Sequence, residues 1–183
     1  MKRRVITSVL ALLMLLSVTA CEKKGQTGQE PTTPPVTVDG QSLSDPIAVS
    51  DDKVYGRWES ENGPALEIST DGKYTYYLDK NNTSDNYYKG SVEFVVGPQA
   101  ISELNLTLKE YADKYDKYAG GFHNVVSLKL HYETFQSEGV DKSDTLNKSE
   151  YMTFMLLLSK DSDDKATLVN MADSTITEVS RAK

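Results

Sequence analysis

Val54-Tyr55-Gly56-Arg57-Trp58, Ala65-Leu66-Glu67-Ile68 and Lys73-Tyr74-Thr75-Tyr76-Tyr77-Leu78 succeed one another, with the turn signals Glu61-Asn62-Gly63-Pro64 and Asp71-Gly72 between them. In each run every second residue belongs to one face: Val54, Gly56 and Trp58, then Leu66 and Ile68, then Tyr74, Tyr76 and Leu78. A period of two is the spacing of a half-buried strand, and Asn-Gly and Asp-Gly are the pairs that close tight hairpins. The stretch therefore predicts three short antiparallel strands in a meander.

The pattern continues outward from there. A fourth strand is predicted over about Tyr87 to Val96, with Tyr88, Val92, Phe94 and Val96 on one side and Gly90 marking a bend or bulge. Thr107-Leu108-Lys109-Glu110 has capping-box spacing. Leu108, Tyr111, Ala112 and Tyr115 then recur at helical intervals up to Gly120-Gly121. Three further strands follow, over about Asn124 to Tyr132, Tyr151 to Ser159 and Ala166 to Met171, with Glu133 to Ser137 as an added edge segment. Phe154-Met155-Leu156-Leu157-Leu158 is apolar on both faces, so that strand should be central or covered by the helix. Thr175 to Arg181 is the closing strand. The expectation is a mainly β domain of about eight antiparallel strands, with one helix inserted after the fourth. Such a chain builds a sandwich or a closed barrel, and closure removes exposed edges more completely.

Gly56-Arg57-Trp58 at the head of the first strand, with Arg181 on the last, resembles the lipocalin-like group. The resemblance implies that Trp58 closes one end of a barrel and that Arg181 stacks over it in a cation–π contact, with Gly56, Trp58 and Arg181 as structural residues. Lipocalins carry their main helix after the last strand; here it falls after the fourth. The same Gly-Arg-Trp run, Asp71-Gly72-Lys73-Tyr74 and Asp85-Asn86-Tyr87-Tyr88-Lys89-Gly90 also look like uncharacterised lipoproteins of Gram-positive gut bacteria, a likeness that implies a location and no activity.

Location is the better-specified property. Lys2-Arg3-Arg4 precedes an apolar run from Val5 to Leu16, well short of the roughly 20 residues that span a bilayer. Val18-Thr19-Ala20-Cys21 closely resembles the bacterial lipobox. That resemblance implies removal of residues 1–20, a diacylglyceryl thioether on Cys21, and attachment to the extracytoplasmic face of the cell membrane. Cys21 is the single cysteine, so no intramolecular disulfide can form. Residues 22–50 are polar and Pro-rich and read as a tether, with a root-mean-square span of roughly 30 Å. Residues 51–183 form one domain.

Loss of Lys2, Arg3 and Arg4 takes the formal net charge from −7 to −10. That charge, without any Lys/Arg block in the mature chain, argues against nucleic acid and against flat adsorption on anionic lipid. Spacings for a nucleophile elbow, a zincin, a phosphate loop or a Cys-ligated zinc are missing, and no cofactor is expected. His123 and His131 would stand about 26 Å apart on one straight strand, too far to share a metal. Asp79, Asn81, Thr83 and Asp85 begin like a calcium loop but lack its glycine and closing glutamate.

The eleven tyrosines, all between Tyr55 and Tyr151, are the chief hint of recognition. Tyr76, Tyr77, Tyr87 and Tyr88 flank the polar loop Lys80 to Asn86 and are the candidate binding residues, for a glycan, a peptide or a small amphipathic ligand. The expected function is a non-catalytic binding or interaction module. Two other classes stay open: an envelope hydrolase using paired carboxylates, and a structural or inhibitory envelope lipoprotein.

Overall fold

Alternating side chains over Gly56–Ser60 (β1), Ala65–Ile68 (β2) and Lys73–Tyr77 (β3) send Trp58, Leu66, Ile68 and Tyr74 to one buried face and leave Arg57, Glu67 and Thr75 on the other. The computed structural model describes residues 50–183 and the backbone of Thr37–Val38 and Gln41–Ser42, which pair antiparallel. The segment read as a signal peptide, Cys21 and most of the segment read as a tether lie outside the described residues.

The remaining strands are Tyr87–Val96 (β4), Val125–Ser137 (β5), Tyr151–Leu158 (β6), Lys165–Asn170 (β7) and Ile176–Arg181 (β8). Each pairs antiparallel with the next, and β8 pairs back onto β1 through Val179↔Ser60, Ser180↔Glu59 and Arg181↔Trp58. The result is a closed eight-stranded up-and-down barrel, compatible with a lipocalin-like fold. Closure gives every strand of the barrel a neighbour on both sides and so shortens the edge left open to another chain. A two-residue return at Val140–Asp141 adds to the far end of β5, which runs on through the segment expected as an added edge.

The inward residues fill the barrel. Trp58, Leu66, Ile68, Leu128, Leu130 and Leu156 are fully or almost fully buried in one cluster. The strand that is apolar on both faces is also accounted for. Phe154, Leu156 and Leu158 of β6 point inward, while Met155 and Leu157 join Val125 and Val169 under the helices.

One helix is expected after the fourth strand, and among the described residues three short α-helices stand there: Pro98–Glu103 (α1), Leu108–Lys114 (α2) and Asp116–Ala119 (α3). The capping box forms as expected. The Glu110 amide donates to the Thr107 hydroxyl at 3.2 Å, and the Thr107 amide donates to the Glu110 carboxylate at 2.8 Å. Tyr115, at φ −121°, breaks the helical run that the spacing predicts as continuous. α1 went unread because six residues are too few to display a helical period; Pro98 at its start is the local signal for it. No helix among the described residues is long and apolar enough to cross a membrane.

The bulge expected at Gly90 is real, with the extra residue on the neighbouring strand. Lys89 faces Thr134 and Gly90 faces Tyr132, so Glu133 is skipped. The skip changes the parity of β5, and Tyr132 and Phe135, three apart in sequence, both meet the Tyr88 ring, at 5.6 and 4.4 Å between centroids.

Candidate functional site

In an up-and-down barrel the turns after odd-numbered strands all lie at one end and those after even-numbered strands at the other. The two ends of this barrel differ. At the end where β1 begins, the single turn Asp51–Lys53 brings the chain in, and Trp58 is completely buried, its indole N–H donating to the Val54 carbonyl at 3.1 Å. Arg181 stands directly opposite Trp58 across the strands, with its guanidinium 4.3 Å from the indole centroid. It also donates to the carbonyls of Tyr55 and, at 2.8 Å, Lys53. Gly56 lies against it: a Cβ there would come within 2.7 Å of the Arg181 Nη1. Aromatic stacking, a satisfied indole and two carbonyl contacts close this end.

The other end keeps a mouth of about 180 Å³. Tyr76 of β3, Phe154 of β6 and Leu168 of β7 form its floor, the two rings 5.3 Å apart and tilted by 45°. Asn170, Asp173, Thr175 and Thr177 form a polar rim. Alternation puts these side chains there. Phe154 faces Asn170 and Leu168 faces Thr177 across their ladders, so all four share the inward face.

The β7–β8 turn is held by its own hydrogen bonds. The Ala172 amide donates to the Asn170 side-chain oxygen and the Thr175 amide to the Asp173 carboxylate, each at 2.9 Å. These contacts orient both rim residues. The Thr175 amide, then its hydroxyl, hold the Asp173 carboxyl below the usual carboxylate range, so it is ionised at neutral pH. Burial first, and then the Asp173 charge, push the Tyr76 hydroxyl up, so it stays protonated and able to donate. The mouth thus offers an aromatic face, amide and hydroxyl groups, and one anchored carboxylate.

The four tyrosines singled out by sequence divide between the two sides of the wall. Tyr76 pairs with Tyr88 and Tyr77 with Tyr87. Neighbours along a strand face opposite ways, so each cross-strand pair shares a face that the other pair cannot reach. Tyr76 and Tyr88 pack against the barrel core, and only Tyr76 lines the mouth, because the Tyr88 ring lies parallel on Phe135. Tyr77 and Tyr87 face out, edge to face at 6.3 Å, with Arg57 4.8 Å from the Tyr77 centroid and Lys89 4.5 Å from the Tyr87 centroid. Phe154, Leu168, Asn170 and Asp173 were not singled out by sequence. Strand parity could have found them, since the β3–β4 and β7–β8 turns must meet at one end of such a meander.

Other chemistry finds little support. His123 lies in the single turn Phe122–Asn124 before β5, and His131 lies far along that strand opposite Tyr151. Asp79 and Asp85 accept from their own loop, from the Asn81 amide at 2.9 Å and from the Ser84 hydroxyl at 2.8 Å. Among the described residues no group of three or more His, Cys, Asp or Glu side chains could hold a metal ion. Two larger clefts lie along the outer wall. One, of about 630 Å³ near α3, is lined by Glu59, Glu61, Glu178, Lys80, Lys117 and Lys165, a mixed-charge solvated surface. The other, of about 700 Å³, runs beside α1. Comparison of the chain with protein-family models, with curated proteins and with solved structures returns no match, so the reading of its function rests on the barrel and its mouth.

Proposed function

We propose that this protein is a lipid-anchored module on the extracytoplasmic face of the membrane, lipocalin-like in design, that binds a ligand at the mouth of its barrel and carries out no reaction on it. The observation that carries this reading is the asymmetry of the two ends. One is sealed by Trp58 and Arg181, and the other presents the half-buried Tyr76 ring, backed by the buried Phe154 and Leu168, under an ordered polar rim. An aromatic floor with a few convergent polar groups is the usual make-up of a recognition site. The single turn Asp51–Lys53, which leads into the first strand, stands at the sealed end.

The anchor is tested by Cys21→Ser. Wild type is expected in the membrane fraction with the added mass of the lipid, and the variant without that mass; a wild-type chain lacking it overturns the localisation.

Recognition is tested on glycan and peptide arrays. Wild type is expected to bind, Tyr76→Ala to bind at least about tenfold more weakly, and the Tyr77→Ala, Tyr87→Ala double variant to bind as wild type does. Equal binding by wild type and a folded Tyr76→Ala removes the mouth as the site. No binding by wild type removes the recognition reading.

A further inference from the structure

The mouth and the cleft beside α1 share a lining residue, Asn170, whose side chain stands where the β7–β8 turn leaves the barrel. We propose that the two are subsites of one site for a linear, uncharged oligosaccharide, with one ring in the mouth and the following rings passing Asn170 toward Tyr151. The proposal rests on the mouth being a binding site and adds the class of ligand.

Size and chemistry both favour sugar. The mouth, at about 180 Å³, falls below the roughly 300 Å³ at which pockets for drug-sized ligands begin, and suits a single ring. The half-buried Tyr76 ring, held from behind by the buried Phe154, can stack on the C–H face of a pyranose, while the Asn170, Asp173 and Thr177 groups can pair with hydroxyls at the ring edge. The Asn170 side-chain oxygen is taken by the Ala172 amide, which leaves its NH₂ to donate.

The cleft beside α1 continues the same chemistry. Tyr132, Tyr151 and Met171 supply flat or apolar surface, and Asn105 and Thr153 supply polar groups. Tyr151 is 46% exposed, with His131 tilted against it at 5.3 Å between centroids and the Lys129 ammonium 6.0 Å from its centroid. The two ionised groups lining this cleft, Lys129 and Glu103, bond each other at 2.8 Å. It therefore presents no unpaired charge to a ligand.

Other ligand classes fit less well. An anion would meet Asp173 and a chain of strongly negative net charge. A cation would find one carboxylate already accepting from its own turn and a neutralised pair beyond it. An extended peptide would want a long open strand edge, and each strand of this barrel already has a neighbour on both sides over most of its length. An acyl tail would need the space that Trp58, Leu66, Leu156 and Leu168 occupy.

The test uses the full-length lipidated chain in detergent micelles, titrated calorimetrically with glucose and N-acetylglucosamine oligomers from single rings to pentamers. Affinity is expected to rise about tenfold or more from one ring to three. Tyr76→Ala should weaken every length by about that factor. Tyr151→Ala, a change at an exposed ring, should weaken the longer oligomers by about that factor and leave the single ring unchanged. Asn170→Ala should flatten the dependence on length. A length-independent affinity, or a pentamer indifferent to Tyr151→Ala, overturns the two-subsite proposal. So does an equal preference for a charged oligosaccharide such as chitosan. If peptides or detergent-like amphiphiles bind instead, and Tyr76→Ala abolishes that binding, the sugar assignment falls while the mouth stands. If sugars, peptides and amphiphiles all fail to bind, both fall.

Discussion

Trp58→Ala is expected to destabilise the barrel by about 3 to 5 kcal/mol, the range for truncating a fully buried indole that leaves a cavity its neighbours fill only in part. Three contacts go with the ring: its packing against the core, its hydrogen bond to the Val54 carbonyl, and its stacking with Arg181. A domain of this size has about 5 to 15 kcal/mol in all, so the variant should approach global unfolding. Urea denaturation of wild type and variant reads the difference. A loss under about 1 kcal/mol would mean that the closed end does not depend on Trp58. Arg181→Ala should cost less, about 0.5 to 2 kcal/mol for the cation–π contact, because the core beneath it stays filled. Neither residue lines the mouth, so residual folded protein should keep the proposed binding there unchanged.

Gly90→Ala carries the second large effect. A Cβ at that position would fall 1.8 Å from the His131 carbonyl oxygen and 3.1 Å from the Glu133 amide nitrogen, both backbone atoms of the bulged strand. A flexible side chain could swing aside; a paired backbone cannot. The expected cost is at least about 1 to 3 kcal/mol, the range for overpacking. The disturbance should centre on Tyr88, Tyr132 and Phe135, which the bulge brings together. Thermal denaturation measures the loss, and near-ultraviolet circular dichroism should show a changed tyrosine signal. An unchanged melting temperature would mean that β4 and β5 can separate at the bulge without penalty.

Much of the barrel is legible from short-range pattern. The alternation at Val54, Trp58, Leu66 and Tyr74 marks strands and also which side of each is buried. The Thr107–Glu110 capping box reports a local backbone need and is met within three residues, whereas the reason for Gly90 lies across the ladder at His131 and Glu133. The four tyrosines show where such reading stops. They flank one loop, and proximity in sequence suggested a single surface, yet the alternation that identified the strands also divides them into an inward and an outward pair. The floor and rim of the mouth come from β3, β6, β7 and β8, and no local pattern ties Tyr76 to Phe154 or to Asp173.

The sequence by itself determined the strands, their buried faces and the main helix start, because each depends on neighbours along the chain: periods of two, turn chemistry and a cap three residues wide. Tertiary structure alone decided that β8 closes onto β1, that the helical run breaks at Tyr115 over the outer wall, and that one end is sealed while the other holds a mouth. Those outcomes rest on contacts between residues far apart in the chain, such as Tyr76 with Phe154 in the mouth and Arg181 with Trp58, more than a hundred positions apart, at the closed end. Their energy comes from burying apolar surface across the whole barrel, a quantity that no stretch of sequence contains.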